Sequence, residues 1–181
     1  MKYIKTPIEG LFEIEPQLFG DERGYFFESF KADEFKQNVA NVDFVQDNQS
    51  YSTKGVLRGL HFQKGESAQG KLVRALSGKI LDVAVDLRPE SETFGEHYSV
   101  ILDSEKHNMF YVPEGFAHGF YVIEDAIFTY KCTNYFNKAA EGSLLWNDKD
   151  LNIQWNTESP SLSEKDENAE TLADFKLSIG K

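Results

Sequence analysis

A two-residue alternation of apolar and polar side chains is the feature that most constrains the fold of this chain. Its apolar members are Leu81, Val83, Val85 and Leu87, followed further along by Tyr98, Val100 and Leu102. Successive side chains of a strand point to opposite faces, so this period predicts β-strands. Turn signals recur at short spacing, at Ser77-Gly78, Arg88-Pro89, Asp103-Ser104 and Glu124-Asp125. Because no long helical pattern separates the strands, we predict an all-β fold, an antiparallel sandwich or barrel.

The remaining segments are predicted to form further strands, one short helix and a C-terminal tail. Strand-like runs span residues 9–15, 24–30, 109–112, 119–123 and 127–136. A short helix is predicted over residues 32–39. Residues 159–175 are polar and acidic, with expected anchors at Leu162, Leu172 and Phe175. Since the 181 residues contain no repeat or linker, we predict one domain over residues 1–181, with residues 159–181 as a covering tail.

Charge and cysteine content limit the possible functions. Nineteen basic against thirty acidic residues give a net charge of -11, which disfavours binding to nucleic acid or to an anionic membrane. The chain has one cysteine, no secretion signal and no apolar run long enough for a membrane span. A cytoplasmic location is therefore expected. Basic residues near His61 could still draw in a small anionic ligand.

Five side chains stand out as able to move protons and to stabilise an anion: Arg58, His61, Lys71, His118 and Tyr130. Tyr130 shares one strand face with Phe128, Cys132, Asn134 and Phe136. Arg58 and His61 are an odd number of residues apart, so they share a face only if Gly59 forms a bulge or kink. A purely structural interpretation also remains open for several residues. His61 could be a structural histidine and Tyr130 a core residue. The Asp166 carboxylate could cap a helix start within Ser163-x-x-Asp166.

The segment Pro113-x-Gly-x-x-His118 resembles the second box of the cupin superfamily of small β-barrels. In metal-binding cupins this histidine joins an earlier His-x-His pair and a glutamate. Here the earlier segment reads His61-Phe62-Gln63, so one histidine ligand is missing. A zinc or iron site therefore has poor support, and we expect no metal.

The fuller pattern resembles one branch of that superfamily, the dTDP-4-dehydrorhamnose 3,5-epimerases. The matching segments are residues 20–28, 44–48, 54–61, Lys71, 113–120, Tyr130-Lys131, Glu141-Gly142, 145–148 and 162–166. They cover nearly the whole chain in one order. The resemblance implies a cupin-type double-stranded β-helix, a jelly-roll barrel with short peripheral helices. It also implies a homodimer and an epimerase that needs no cofactor.

The resemblance also assigns roles to residues. His61 matches the base, Asp166 the carboxylate that orients it, Lys71 the cation that stabilises the enolate, and Tyr130 the acid on the opposite face. The positions that match those holding the nucleotide sugar are Arg23, Glu28, Gln46, Asp47, Asn48, Arg58, His118, Phe136, Glu141 and Lys165. Phe136 replaces a tyrosine that commonly stacks on the thymine ring, and the loop between His118 and Tyr130 is one residue shorter than usual.

The implied reaction inverts carbons 3 and 5 of dTDP-4-dehydro-6-deoxy-D-glucose and gives dTDP-4-dehydro-L-rhamnose. Three alternatives remain at this point. The first is a relative that inverts only one of the two carbons, since the same residues would serve it. The second is a cupin that binds a nucleotide sugar without catalysis, and the third is a metal-dependent cupin.

Overall fold

A computed structural model describes residues 1–180. Its strands are β1 (Lys2–Lys5), β2 (Phe12–Glu15), β3 (Phe19–Asp21), β4 (Gly24–Phe26), β5 (Gln46–Ser52), β6 (Leu57–Gln63), β7 (Lys71–Asp86), β8 (His97–Asp103), β9 (Met109–Val112), β10 (Phe116–Cys132) and β11 (Glu141–Ser143). The helices are α1 (Ala32–Asn38), α2 (Glu164–Glu167) and α3 (Leu172–Ser178). Two short 3-10 turns lie at Gly65–Ser67 and Lys138–Ala140. The short peripheral helices and the helix predicted over residues 32–39 are confirmed.

Two long antiparallel strands, β7 and β10, form the centre of the fold. They pair from Phe116 opposite Asp86 to Cys132 opposite Lys71. The first part of β7 also pairs with β9 and its second part with β8. In the same way, β10 pairs first with β6 and then with β5. Each long strand therefore passes through two sheets, as in a jelly roll.

The bend in this long pair lies at Ser77-Gly78 and residues 122–128. The register shifts three times there, and a side chain at Gly78 would collide with the backbone carbonyl of Asp125. Bulges of this kind bend a strand while its neighbours stay paired. We predicted separate strands over 119–123 and 127–136, with a turn at Glu124-Asp125. That prediction was wrong, because the polar residues mark a bulge within one continuous strand.

The alternation along β7 separates two apolar clusters. Ile80 and Ala84 point into the barrel, where they pack with Phe110, Phe120 and Phe128. Leu81, Val83 and Val85 point outward, where residues from the C-terminal third of the chain cover them. Both faces of the strand are thus buried, and Asp82 and Asp86 are fully enclosed. A buried carboxylate needs a partner, so these two residues must be paired inside the protein.

The C-terminal segment packs against the outer cluster. Leu172 and Phe175 of α3 are buried there, and Leu162 packs against the same cluster. A parallel bridge between Val56 and Ser161 ties the segment to the start of β6. These contacts place α2 beside β6. No helix within residues 1–180 is both long and apolar enough to cross a membrane.

Candidate active site

An open pocket of about 240 Å³ lies at one end of the barrel. It is lined by Gln46, Asn48, His61, Phe62, Gln63, Gln69, Lys71, Tyr130, Phe136 and Glu141. Three of the four predicted catalytic side chains meet there, since His61 comes from β6, Lys71 from β7 and Tyr130 from β10. Residues far apart in sequence therefore converge on one site.

Strand register explains this convergence. Cys132 of β10 lies opposite Lys71 of β7, and Tyr130 lies two residues before Cys132. Opposed residues of an antiparallel pair share a face, and so do residues two apart along one strand. Lys71 and Tyr130 therefore point to the same side, into the barrel. Asn48 of β5 lies opposite Tyr130 on its other edge.

Glycine at position 59 turns His61 toward this pocket. The pairing of β6 with β10 shifts between His118 and Phe120, so that Phe120 faces Arg58 and His118 faces His61. Gly59 has a φ of 132°, and a side chain there would strike the backbone of Gly119. Only glycine suits such a close crossing. The predicted irregularity at Gly59 is present, and it brings Arg58 and His61 onto one face.

A short hydrogen bond joins His61 to Asp166. Their Nε2 and Oδ1 atoms are 2.6 Å apart, Asp166 is buried, and the His61 side chain is 31% exposed toward the pocket. Burial alone would raise the pKa of Asp166, but hydrogen bonds from His61 and Ser163 outweigh burial and hold this pKa below its ordinary value. Asp166 is therefore an ionised partner for the imidazole.

Helix α2 places this carboxylate. Ser163 is its N-cap, and the Ser163 side chain accepts a hydrogen bond from the backbone N–H of Asp166. The capping pattern in the sequence is thus real, but the Asp166 carboxylate points to His61 and does not close the helix start. One short helix serves both roles, since the serine caps it and the aspartate reaches the site.

Lys71 brings an ammonium group to the pocket. Within residues 1–180 it makes no hydrogen bond and no ion pair. Burial lowers the pKa of Lys71, while the Cys132 and Asp82 side chains act in the opposite direction. A desolvated cation without a partner gains stability when an oxygen beside it becomes negative.

Tyr130 brings a phenol to the same pocket. Its ring contacts Phe128 at a centroid distance of 5.6 Å. Burial and the neighbouring Cys132 raise the pKa of Tyr130, while Arg58 and a hydrogen bond with Asn48 lower it in part. The phenol therefore carries its proton at neutral pH. It can donate that proton to a carbanion.

Beside the pocket lies a second histidine and aspartate pair. His118 Nε2 is 2.9 and 3.0 Å from the two carboxylate oxygens of Asp82, and both side chains are buried. Burial raises the pKa of Asp82, and His118 and Lys71 oppose this shift. Asp82 was not among the predicted site residues. The signal for it was its inward position between Ile80 and Ala84 on an otherwise apolar strand.

Comparisons with known proteins identify the family of this chain. A family model described as dTDP-4-dehydrorhamnose 3,5-epimerase matches residues 5–174. The chain belongs to this family. The dTDP-4-dehydrorhamnose 3,5-epimerase of Shigella flexneri is 51% identical over 176 residues, which cover 96% of this chain and 97% of the relative.

Solved structures of other epimerases have the same fold. The dTDP-4-dehydrorhamnose 3,5-epimerase of Elizabethkingia anophelis NUHP1 is 52% identical, covers 96% of this chain and 97% of its own, and superposes with a TM-score of 0.92. A dTDP-6-deoxy-D-glucose-3,5-epimerase from Legionella pneumophila Philadelphia 1, in complex with dTDP-4-keto-L-rhamnose, has a TM-score of 0.94 at 46% identity, with 98% and 96% of the chains covered. The predicted cupin-type all-β fold is confirmed.

The predicted binding residues of this epimerase-family chain fall into three groups by their position relative to the pocket. Gln46, Asn48, Phe136 and Glu141 line the pocket, and Lys165 is 2.5 Å from the Glu141 carboxylate. Arg58 is exposed next to the pocket, where it donates to Ser52, and His118 is buried against Asp82.

Three predicted binding residues lie elsewhere. Asp47 points to the outer face of β5 and pairs with Lys131 at 3.0 Å. Arg23 pairs with Asp21 in the exposed hairpin of β3 and β4, and Glu28 is exposed just beyond it. Within residues 1–180 none of the three lines the pocket. Their binding roles stay predictions.

Proposed function

We propose that this chain inverts carbons 3 and 5 of dTDP-4-dehydro-6-deoxy-D-glucose and gives dTDP-4-dehydro-L-rhamnose. One observation carries the proposal, namely that a histidine paired with a buried aspartate shares a pocket with an uncommitted lysine and a protonated tyrosine. These are the groups that a double inversion beside a ketone needs. The activity is thus an isomerisation by proton transfer.

Proton removal is the first step of the proposed reaction. The ketone at carbon 4 acidifies the C–H bonds of its two neighbours. His61 takes the proton from one of these carbons, and the electron pair of the C–H bond moves to the ketone oxygen. Asp166, 2.6 Å from His61, stabilises the imidazolium that forms. The Asp166 carboxylate itself stays ionised, as its lowered pKa favours.

Lys71 and Tyr130 complete the inversion. The Lys71 ammonium pairs with the enolate oxygen, where a fixed positive charge lowers the barrier. Tyr130 gives its proton to the carbon from the opposite face, which inverts the centre and reforms the ketone. Exchange with solvent then returns a proton to Tyr130 and removes one from His61. The same sequence at the second carbon gives the doubly inverted product.

A different set of side chains binds the nucleotide half of the substrate in this proposal. We assign the thymine ring to Phe136, because its exposed ring offers an apolar face at the pocket. Gln46, Asn48 and Glu141 supply polar groups around it. Arginine suits the diphosphate, since its planar fork can pair with two oxygens at once, and Arg58 lies next to the pocket.

We further propose that the functional unit is a homodimer in the cytoplasm. The hairpin of β3 and β4 forms a separate two-stranded sheet with exposed Phe19, Tyr25 and Phe26. Exposed apolar surface of this kind favours a protein partner. A second copy that covers the hairpin would also account for the position of Arg23 and Glu28 outside the pocket of their own chain. The single free cysteine fits a reducing compartment.

Incubation with the 4-keto sugar nucleotide in deuterated water tests the reaction, with NMR or mass spectrometry as the readout. We expect deuterium at both carbon 3 and carbon 5. A label at one carbon only would point to a single-centre epimerase. No label at either carbon would reject the catalytic proposal.

A further inference from the structure

The loop between β10 and β11 carries Phe136, one of the residues that line the pocket. The Phe136 side chain is 52% exposed, and within residues 1–180 it stacks on no other aromatic ring. With half of its surface in solvent, this ring is held less by packing than the ring of a core phenylalanine. The backbone of the loop therefore contributes to where the ring lies at the pocket.

Two glutamine side chains hold that backbone. The Oε1 atom of Gln46 accepts a hydrogen bond from the backbone N–H of Phe136 at 3.1 Å. The Oε1 atom of Gln63 accepts from the next backbone N–H, that of Asn137, at 2.9 Å. Two consecutive N–H groups are thus fixed by side chains from two different strands, β5 and β6.

Gln63 is the more firmly placed of the two. It is only 9% exposed, and it ends β6 two residues after His61. Glu141, also at the pocket, lies opposite it on β11. Other bonds tie the loop to neighbouring segments, such as Gln69 Nε2 to the Asn134 carbonyl at 2.7 Å. Those bonds do not reach the backbone N–H groups of residues 136 and 137, and the Asn137 carbonyl accepts from Ala140 of the same loop.

The chemistry of glutamine suits this place. Gln63 occupies the position at which metal-binding cupins carry a second histidine ligand, as the sequence comparison of His61-Phe62-Gln63 indicates. An amide oxygen there accepts an N–H without adding a second negative charge opposite Glu141. A glutamate would also offer an acceptor oxygen to the loop, but it would place two carboxylates side by side.

We propose that Gln63 is a positioning residue for nucleotide recognition, acting through the loop and through Phe136. This proposal rests on the proposed role of Phe136 in stacking on the base. It assigns no part of the proton transfer to Gln63, even though His61 is only two residues away. Loss of the Gln63 oxygen should therefore weaken nucleotide binding and leave the chemical step intact.

A double-mutant cycle tests this proposal with Gln63→Met, Phe136→Ala and the combined variant. The measurements are the Kd for dTDP by calorimetry, and kcat and KM for the 4-keto sugar nucleotide. We expect Gln63→Met to raise Kd and KM about three- to tenfold, the range for one lost neutral hydrogen bond, and to leave kcat within about twofold. In the Phe136→Ala background Gln63→Met should add nothing, because the ring it positions is gone.

The cycle separates the two proposals. If Phe136→Ala leaves Kd unchanged, the stacking role of Phe136 is wrong. If Phe136→Ala weakens binding but Gln63→Met adds its full factor in both backgrounds, or lowers kcat with Kd unchanged, the positioning role of Gln63 is wrong. The matched control is Gln154→Met, an exposed glutamine whose amide donates to Asn152; it should change none of these quantities.

Hydrogen exchange of the loop gives an independent readout. Gln63→Met should speed amide exchange in residues 134–138, whereas Gln154→Met should not. Gln63→Glu keeps the acceptor oxygen, so its loop should stay as protected as in the unmodified protein, even if Gln63→Met does not fold. Fast exchange in the Gln63→Glu loop would overturn the proposal.

Discussion

Two histidine and aspartate pairs lie side by side in this protein, and they differ chiefly in their access to the pocket. His61 and His118 are opposite one another on β6 and β10. The His61 side chain is 31% exposed and contacts one oxygen of Asp166, whereas His118 is 6% exposed and contacts both oxygens of Asp82. The same two residue types therefore occupy an open setting and a closed one.

The two aspartates respond to these settings in opposite ways. Hydrogen bonds lower the pKa of Asp166 despite its burial, whereas burial raises the pKa of Asp82 despite His118 and Lys71. An ionised carboxylate beside an accessible imidazole can support repeated proton uptake and release. An enclosed pair is shielded from solvent, so we expect it to orient His118 and not to take part in proton exchange.

Replacement of the two histidines gives the largest expected contrast. His61→Asn should lower kcat by about 10²–10⁴-fold, the usual contribution of a general base, because the asparagine amide cannot take the proton. Deuterium incorporation at carbons 3 and 5 is the measurement. His118→Asn should retain measurable exchange and lose stability. Equal loss of exchange in both variants would show that the two histidines share the proton transfer.

Replacement of the two aspartates should give a smaller difference, in which one variant loses mainly kcat and the other mainly stability. Asp166→Asn removes the charge that stabilises the imidazolium, so we expect kcat to fall by about 10²-fold or more, with little change in Tm. Asp82→Asn leaves the buried His118 with one acceptor oxygen in place of two and puts an amide NH2 group beside it. We expect a loss of about 1–3 kcal/mol, the cost of a buried polar group left without its partner, seen as a fall in Tm by calorimetry. The comparison fails if Asp82→Asn lowers kcat as much as Asp166→Asn and leaves Tm unchanged.

This contrast also shows how far the sequence could be used for prediction. Alternation along residues 81–87 predicted the strand, and the order of motifs predicted the pocket that holds His61, Lys71 and Tyr130. Periodicity alone did not show that both faces of β7 are covered, because the outer cover comes from residues 144–175. The partner of a buried carboxylate such as Asp82 depends on strand register, which no local pattern contains.

The bulge at residues 124–125 was missed for a related reason. Glutamate and aspartate side by side are typical of a turn, and only the pairing with Ser77-Gly78 shows that the strand continues. Asp47 and Arg23 raise a similar difficulty. The resemblance supplied their roles, but strand alternation turns Asp47 outward, and the hairpin carries Arg23 away from the pocket of its own chain.

The pH dependence of stability gives the smallest expected difference between the two pairs. The change of stability with pH has opposite signs for the two aspartates. Asp166 has a folded-state pKa below its unfolded value, so its ionised form stabilises the fold above the unfolded pKa near 3.8. That contribution is lost as the pH falls through the lower folded pKa. Asp82 has a raised folded-state pKa, so its contribution is present below about pH 3.8 and is lost as the pH rises through the folded value.

Unfolding measured from pH 3 to pH 7 for the two asparagine variants checks these signs. Asparagine resembles a protonated aspartate, so the cost of Asp166→Asn should be small at the acid end and should grow toward neutral pH. The cost of Asp82→Asn should run the other way and shrink as the pH rises. The two curves should therefore cross or converge. Curves of the same slope would mean that both carboxylates are ionised alike, and that burial does not separate the two pairs.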